Sequence, residues 1–307
     1  MSTHGLASMT LGVPDVAGTS AFYEQFGLTP TGDATFATAD GGDQLHIVRS
    51  PYRRLVEFNV AVDDQDDIER IRAAAAGHDI AAADGADGSL TMTEPVVGIG
   101  VRISIRPRIV SPSYDWESMN SPGNPARSGT RAPAIFHEGP ARPRKLGHVL
   151  YTSTDFDASI RFLTQVVGFK VSDTSGAIAF LRCSTDHHNV GLINAPVPFF
   201  HHSSWQVNDV DEIGQGAQNL LAVDPHRNIW GLGRHFLGSN FFWYFRDPAG
   251  NFAEYYADLD QIPEDMDWDT REWSPDKSLY AWGPPVPQDF VQPSDLEEII
   301  AAMRSDS

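Results

Sequence analysis

Three stretches of this chain carry side chains of the types that bind a metal and move protons. The densest runs Gly233-Arg234-His235, then the aromatic segment Asn240–Phe245, which holds Tyr244. It continues through Asp247-Pro248-Ala249-Gly250-Asn251 to Glu254-Tyr255-Tyr256. Its pattern reads strand, turn, strand, and a carboxylate on so apolar a strand is costly unless something positive meets it. Two upstream segments offer imidazoles for that purpose, Leu146–Leu150 with His148 and His201-His202 before Trp205. Two histidines and one carboxylate are the donor set of a non-haem iron site, and they leave one face of the metal open for substrate and dioxygen. His148 precedes His202 by 54 residues and His202 precedes Glu254 by 52, so the three belong to separate strands. Strands side by side in a curved sheet can aim three side chains into one cavity.

The elements that must position them occur twice. Leu6–Asp15 leads to Ala21–Leu28, and Leu146–Asp155 leads to Arg161–Phe169. In both copies a strand ends at an Asp suited to cap a helix, a short amphipathic helix follows, and a Gly closes it. A second echo pairs Val60–Asp64 with Trp205–Asp209, each ahead of an acidic helix. The fold class that follows is α+β, two tandem modules of paired βαβββ units with helices on one face of a mostly antiparallel curved sheet. The expected divisions are a first module over residues 1–110, a proline-rich linker over 111–144, a second module over 145–258 and an acidic, aromatic extension over 259–307. Within the repeat, His148 corresponds to Ser8, His202 to Glu57, and Glu254 to a position near Val101 or Arg102. The candidate ligands are therefore absent from one of two copies of the same scaffold, which argues for a chemical rather than an architectural role.

Composition sets outer limits. The charge balance is 22 − 41 = −19, a surface that repels phosphate backbones and anionic membranes, so no nucleic-acid or membrane partner is expected. The single cysteine, Cys183, forbids an internal disulfide and suits a cytoplasmic protein; it reads as a buried packing residue. The segment from Asp258 onward holds 13 acidic and 3 basic residues, yet also Trp268, Trp273, Tyr280, Trp282 and Phe290. Disordered tails are poor in aromatics, so part of this extension should pack on the body, either covering a pocket mouth or strapping a subunit interface.

Around the three candidate ligands lie other histidines. In Asp186–Leu192, period-2 alternation puts His188, Val190 and Leu192 on one face and sends His187 the other way, toward solvent. By the same rule His201, next to His202, faces away from the metal.

The second module resembles the catalytic module of type I extradiol dioxygenases in the vicinal oxygen chelate superfamily. The resemblance rests on Gly147-His148-Val149, His188-Asn189-Val190-Gly191-Leu192, His201-His202 with Val207, Gly233-Arg234-His235, Tyr244, Asp247–Asn251 and Glu254-Tyr255, all in order. It implies that His148, His202 and Glu254 bind Fe(II), with Mn(II) also suited to these ligands. It implies that His188 is the acid/base residue, and that His235 and Tyr244 hydrogen-bond the substrate. The implied reaction is the opening of a catechol-type diol by O2. The stretch after Gly-Arg-His, Phe236–Asn240, is closer to members acting on catechols other than bicyclic diols. The family and the linker together lead to the expectation of a homo-oligomer. Two other readings keep the fold: a glyoxalase-type metal-dependent isomerase or transferase, which commonly needs a fourth protein ligand, and a non-catalytic protein that sequesters an aromatic compound.

Overall fold

The computed structural model describes residues 3–112, 119–136, 139–275 and 279–306. Two mixed sheets carry the chain. The first holds β1 (Thr3–Val13), β2 (Thr29–Gly32), β3 (Thr35–Thr38), β4 (Gly42–Arg49), β5 (Arg54–Val62), β6 (Ala82–Asp84), β7 (Leu90–Thr93) and β8 (Gly100–Ile105). Their spatial order is β2-β3-β4-β1-β5-β8-β7-β6. The second sheet repeats this with β9 (Lys145–Ser153), β10 (Lys170–Ser175), β11 (Ile178–Arg182), β12 (Val190–Asn194), β13 (Phe200–Gln206), β14 (Asn228–Arg234), β15 (Phe241–Arg246) and β16 (Phe252–Ala257). It gains an edge strand from the C-terminal extension, β17 (Arg271–Glu272), which lies parallel to β10. In each sheet two βαβββ units meet through an antiparallel central pair, β1 with β5 and β9 with β13.

The helices begin where the sequence places caps. Asp15 and Asp64 accept hydrogen bonds from Gly18 N and Asp67 N at the starts of α1 (Val16–Gln25) and α2 (Gln65–Gly77). Asp155 and Asp209 do the same from Ala158 N and Glu212 N for α3 (Phe156–Arg161) and α4 (Val210–Val223). Such a carboxylate satisfies one of the amide donors left over at a helix start. The two modules share one apolar core: Phe26 of α1 stacks on Tyr255 of β16 at 4.0 Å, and the Tyr255 hydroxyl donates to Phe26 O at 2.6 Å. Cys183 is fully buried in that core.

The proline-rich segment returns to the body before β9. Ala39 N and Asp40 N donate to Pro143 O and Arg144 O, and the Arg144 guanidinium pairs with Asp40. The C-terminal extension is tied down as well. Arg53 of the first module donates to Phe200 O at 2.7 Å and, at 2.5 and 2.9 Å, to Asp295, just ahead of the C-terminal helix Leu296–Asp306. Among the described residues no helix is long and apolar enough to cross a membrane.

Gly27 ends α1 with φ +97°, and a Cβ there would collide with Ala141 O of the returning linker. Gly27→Ala is expected to cost more than about 1 kcal/mol, read as a lowered denaturation midpoint; an unchanged midpoint would mean that this contact does not constrain the fold.

Candidate active site

Strand register explains how the site assembles. Ser204 of β13 pairs with His148 of β9 on one side and with Glu254 of β16 on the other. Glu254 in turn pairs with Tyr244 of β15. Directly paired residues share a face, so His148, Ser204, Glu254 and Tyr244 form one row across four strands. His202, two positions before Ser204, points to the same face. The small Ser204 side chain, fully buried, sits in the middle of the row.

The row closes on a compact cluster. His148 Nε2 lies 3.2 Å from Glu254 Oε2, His202 Nε2 lies 3.7 Å from the same oxygen, and the two Nε2 atoms are 3.3 Å apart. One ligand atom from each of the three residues lies within 4.8 Å of the other two, and all three residues are buried. Glu254 Oε2 has no hydrogen-bond donor although it is sealed from solvent. Burial alone would raise the Glu254 carboxyl; the imidazoles of His148 and His235 outweigh it and hold the group well below the usual carboxylate range.

Neighbouring groups fix the proton on His202. A backbone carbonyl only accepts, so His201 Nε2, 2.7 Å from Phe290 O, carries a hydrogen. Burial pushes His201 down to about 4, which keeps it neutral near pH 7 and leaves its Nδ1 as an acceptor. His202 Nδ1, 2.7 Å away, must then be the donor. Its Nε2 is left as a lone pair directed at the cluster. Tying the far ring nitrogen to a partner is how proteins orient imidazole ligands.

His235 and Tyr244 stand beside the cluster. His235 Nδ1 donates to Leu279 O, and its Nε2 lies 2.9 Å from the Tyr244 hydroxyl. Burial, then the Glu254 charge, keeps the Tyr244 phenol protonated by raising it well above its ordinary value. His188 lies against His148, with ring centroids 4.2 Å apart. Burial, reinforced by the surrounding imidazoles, pushes His188 well below its ordinary value, so it is neutral. His148, His188, His202, His235 and Tyr244 line one small cavity of about 50 Å³, with Leu279 and Phe290 on its outer side. An apolar cavity of about 480 Å³ adjoins it and shares Ile178, Ile193, His201, Leu279 and Phe290.

All six residues singled out in the sequence thus meet in one place. Three others were misjudged or missed. His187 does not face solvent: it is fully buried, 2.9 Å from Asp173 Oδ2 and 3.1 Å from His188 Nδ1. The alternation argument fails because residues 183–189 form an irregular turn rather than a strand. Asn240, fully buried, donates to Glu254 Oε1 at 3.3 Å; its place beside the Gly-Arg-His loop was the available signal. Phe290 closes the aromatic cluster of Trp230, Phe242, Tyr244 and Phe252, and nothing local in its acidic surroundings marks it.

The first module shows the same row without the chemistry. Ser8 pairs with Asn59 and Asn59 with Arg102, which makes Arg102 the register equivalent of Glu254. Arg102 Nε donates to Glu57 at 2.9 Å, so an ion pair occupies the place of the second module's cluster.

The fold and the buried three-donor cluster define a metal site of the vicinal oxygen chelate class. Residues 145–255 match the family model of the Glyoxalase/Bleomycin resistance protein/Dioxygenase superfamily. The chain is 32% identical to metapyrocatechase 2 of Cupriavidus necator over 95% of its own length and 92% of that protein's. A Mn(II)-bound glyoxalase from Novosphingobium aromaticivorans superposes with a TM-score of 0.74 at 26% identity, over 93% of both chains. A halotolerant catechol dioxygenase superposes at 0.76 with 17% identity, over 95% of this chain and 97% of that one. The chain belongs to the type I extradiol dioxygenases of the vicinal oxygen chelate superfamily.

Removing a ligand should abolish loading: His202→Ala is expected to bind no stoichiometric metal by elemental analysis, and full occupancy would remove His202 from the ligand set. His201→Leu keeps the ligand but frees its ring, and is expected to weaken metal binding about 10- to 100-fold in a chelator competition. An unchanged affinity would show that the Phe290 tether is dispensable.

Proposed function

We propose that the protein opens the ring of a catechol with O2, beside the two hydroxyls, at Fe(II) held by His148, His202 and Glu254. The observation that carries this reading is the cluster of only three protein donors among the described residues, all buried, with His148 and His202 lining one cavity. Three donors on one side leave room for a two-oxygen chelate and a second reactant. Bound there, the ferrous ion would supply Lewis acidity toward the diol oxygens and a path for electron density from ring to dioxygen.

The protein's own groups do the rest. Tyr244 and His235 hold one diol oxygen: the phenol hydroxyl and His235 Nε2, 2.9 Å apart, line the cavity together and present it with a fixed hydrogen-bonding pair. His188, neutral and inside the cavity, exchanges a proton with the substrate. Leu279 and Phe290 wall off the outer side and keep water from the charges that develop. Glu254 is held in place by Asn240, so the carboxylate keeps one oxygen for the metal and one for the protein.

The cavity also selects among catechols. Among the described residues no Lys or Arg lines it or the adjoining apolar space, so a substituent carboxylate would find no side-chain cation there. The favoured substrate is a catechol with an apolar substituent that extends past Ile178 and Ile193.

The direct test is anaerobic loading with Fe(II), then addition of catechol and air while a coloured ring-opened product is followed by absorbance. No turnover across a catechol panel, together with isomerase activity under Ni(II) or Zn(II), would overturn the reading. Loading with Mn(II) in parallel decides the metal, and greater activity with manganese would refute the choice of iron. Alkyl- and arylcatechols are expected to give kcat/KM at least about tenfold above carboxylated catechols, equivalent to about 1.4 kcal/mol at the transition state. The reverse order would rule out the apolar pocket as the substituent site.

A further inference from the structure

The proton transfer assigned to His188 depends on which ring nitrogen carries its hydrogen. We propose that Asp173 and His187 are positioning residues that hold His188 with its hydrogen on Nδ1, so that Nε2 meets the substrate as a proton acceptor. This assignment rests on the dioxygenase reading for its consequence, but none of the hydrogen bonds it is drawn from involves a proposed metal ligand.

The chain of constraints begins outside the cavity. Asp173, on β10, accepts through Oδ1 from Arg271 N at 2.9 Å and from Trp273 Nε1 at 3.0 Å. Its Oδ2 lies 2.9 Å from His187 Nε2. Burial opposes the charge, but these donors outweigh it and hold Asp173 below its ordinary value. A carboxylate can only accept, so His187 Nε2 carries a hydrogen. A neutral His187 then has a lone pair at Nδ1, 3.1 Å from His188 Nδ1, and His188 must supply the hydrogen between them.

The backbone around the pair is held independently. His187 N donates to Asp260 O at 2.9 Å, and the Asn189 side chain binds Cys183 N, Ser184 Oγ and Gly147 O at 2.8 to 3.0 Å. The two rings stand nearly perpendicular, at 89°, with centroids 5.3 Å apart. His188 therefore begins the reaction unable to donate into the cavity from Nε2. It first takes a proton from a diol hydroxyl, whose O–H bond breaks as an Nε2–H bond forms. It returns that proton to the substrate-derived oxygen in a later step and regains its starting form. Orientation of a catalytic imidazole through its far nitrogen is the same logic that governs serine-protease triads.

Asp173→Asn tests the relay because the carboxamide has little choice of orientation. Arg271 N–H and Trp273 Nε1–H both demand an oxygen at the Oδ1 position, which turns the NH2 toward His187 Nε2. His187 must then place its hydrogen on Nδ1, and His188 must move its own to Nε2. Long-range proton–nitrogen NMR of the histidine rings in the metal-free protein should show His188 protonated at Nδ1 in the wild type and at Nε2 in the variant. In the Fe(II)-loaded enzyme, kcat should fall about 100-fold or more, while anaerobic catechol affinity and iron content stay within about twofold of wild type. His187→Phe should show the same split, and His187→Asn, whose oxygen can still accept from His188 Nδ1, should recover part of kcat. This second pair carries the test if Asp173→Asn does not fold.

A wild-type His188 protonated at Nε2, a doubly protonated His187, or an unchanged kcat in both Asp173→Asn and His187→Phe would overturn the proposal. A wild type that opens no catechol yet shows the Nδ1 hydrogen would refute the dioxygenase reading and leave the tautomer assignment standing. An active wild type with the hydrogen on Nε2 would do the reverse.

Discussion

A carboxylate with no exposed surface, Glu254 in the middle of an aromatic strand, is the constraint on which the second module is built. Sealing a single anion among Tyr244, Tyr255 and Tyr256 costs several kcal/mol unless matching positive charge and donors are present. The sheet supplies them by register rather than by loops. One row across β9, β13, β16 and β15 puts His148, Ser204, Glu254 and Tyr244 side by side, and the next rung of β13 adds His202. Rigid strands hold these atoms more tightly than loops would, which suits a site whose donors must sit within a few tenths of an ångström of their places.

The first module faces the same geometry and resolves it differently. Its row is Ser8, Asn59 and Arg102, and Glu57 occupies the rung of His202. There the half-buried charge is balanced inside the chain, because Arg102 pairs with Glu57. The second module instead keeps a net negative donor set that calls for an external cation. The duplication thus separates what the scaffold needs, some balanced polar row on the concave face, from what chemistry needs, a row left unbalanced.

This contrast also explains how far the sequence could be read. Features set by local geometry were legible: the Asp15, Asp64, Asp155 and Asp209 caps, and the strand placement of His148, His202, Glu254 and Tyr244. Each depends on one element and its period. His187 was misread because its segment between β11 and β12 is irregular, so alternation had no strand on which to operate. Its inward turn is dictated by Asp173, 14 residues earlier, and by Asp260, far later in the chain. Phe290 and Leu279 reach the cavity from an acidic extension whose composition reads as solvated surface. Only the aromatic content of that segment hinted that it packs.

The extension does more than cover the cavity. Three site imidazoles end their hydrogen-bond chains on it: His235 at Leu279 O, His201 at Phe290 O, and His187, through Asp173, at Arg271 N and Trp273 Nε1. Carbonyls and a carboxylate held by N–H donors accept only, so each tether fixes a proton as well as a ring. The docked extension is therefore part of the electronic definition of the site. Whatever stabilises these tautomers also stabilises the docked extension, because the coupling free energy is the same in both directions. The carbonyl ends suit His201, where a fixed neutral tautomer is enough, and His235, where a fixed ring is enough. The carboxylate end falls on the branch leading to His188, the residue that gains and loses a proton, and an anion two rings away lowers the cost of the positive charge that passes through it.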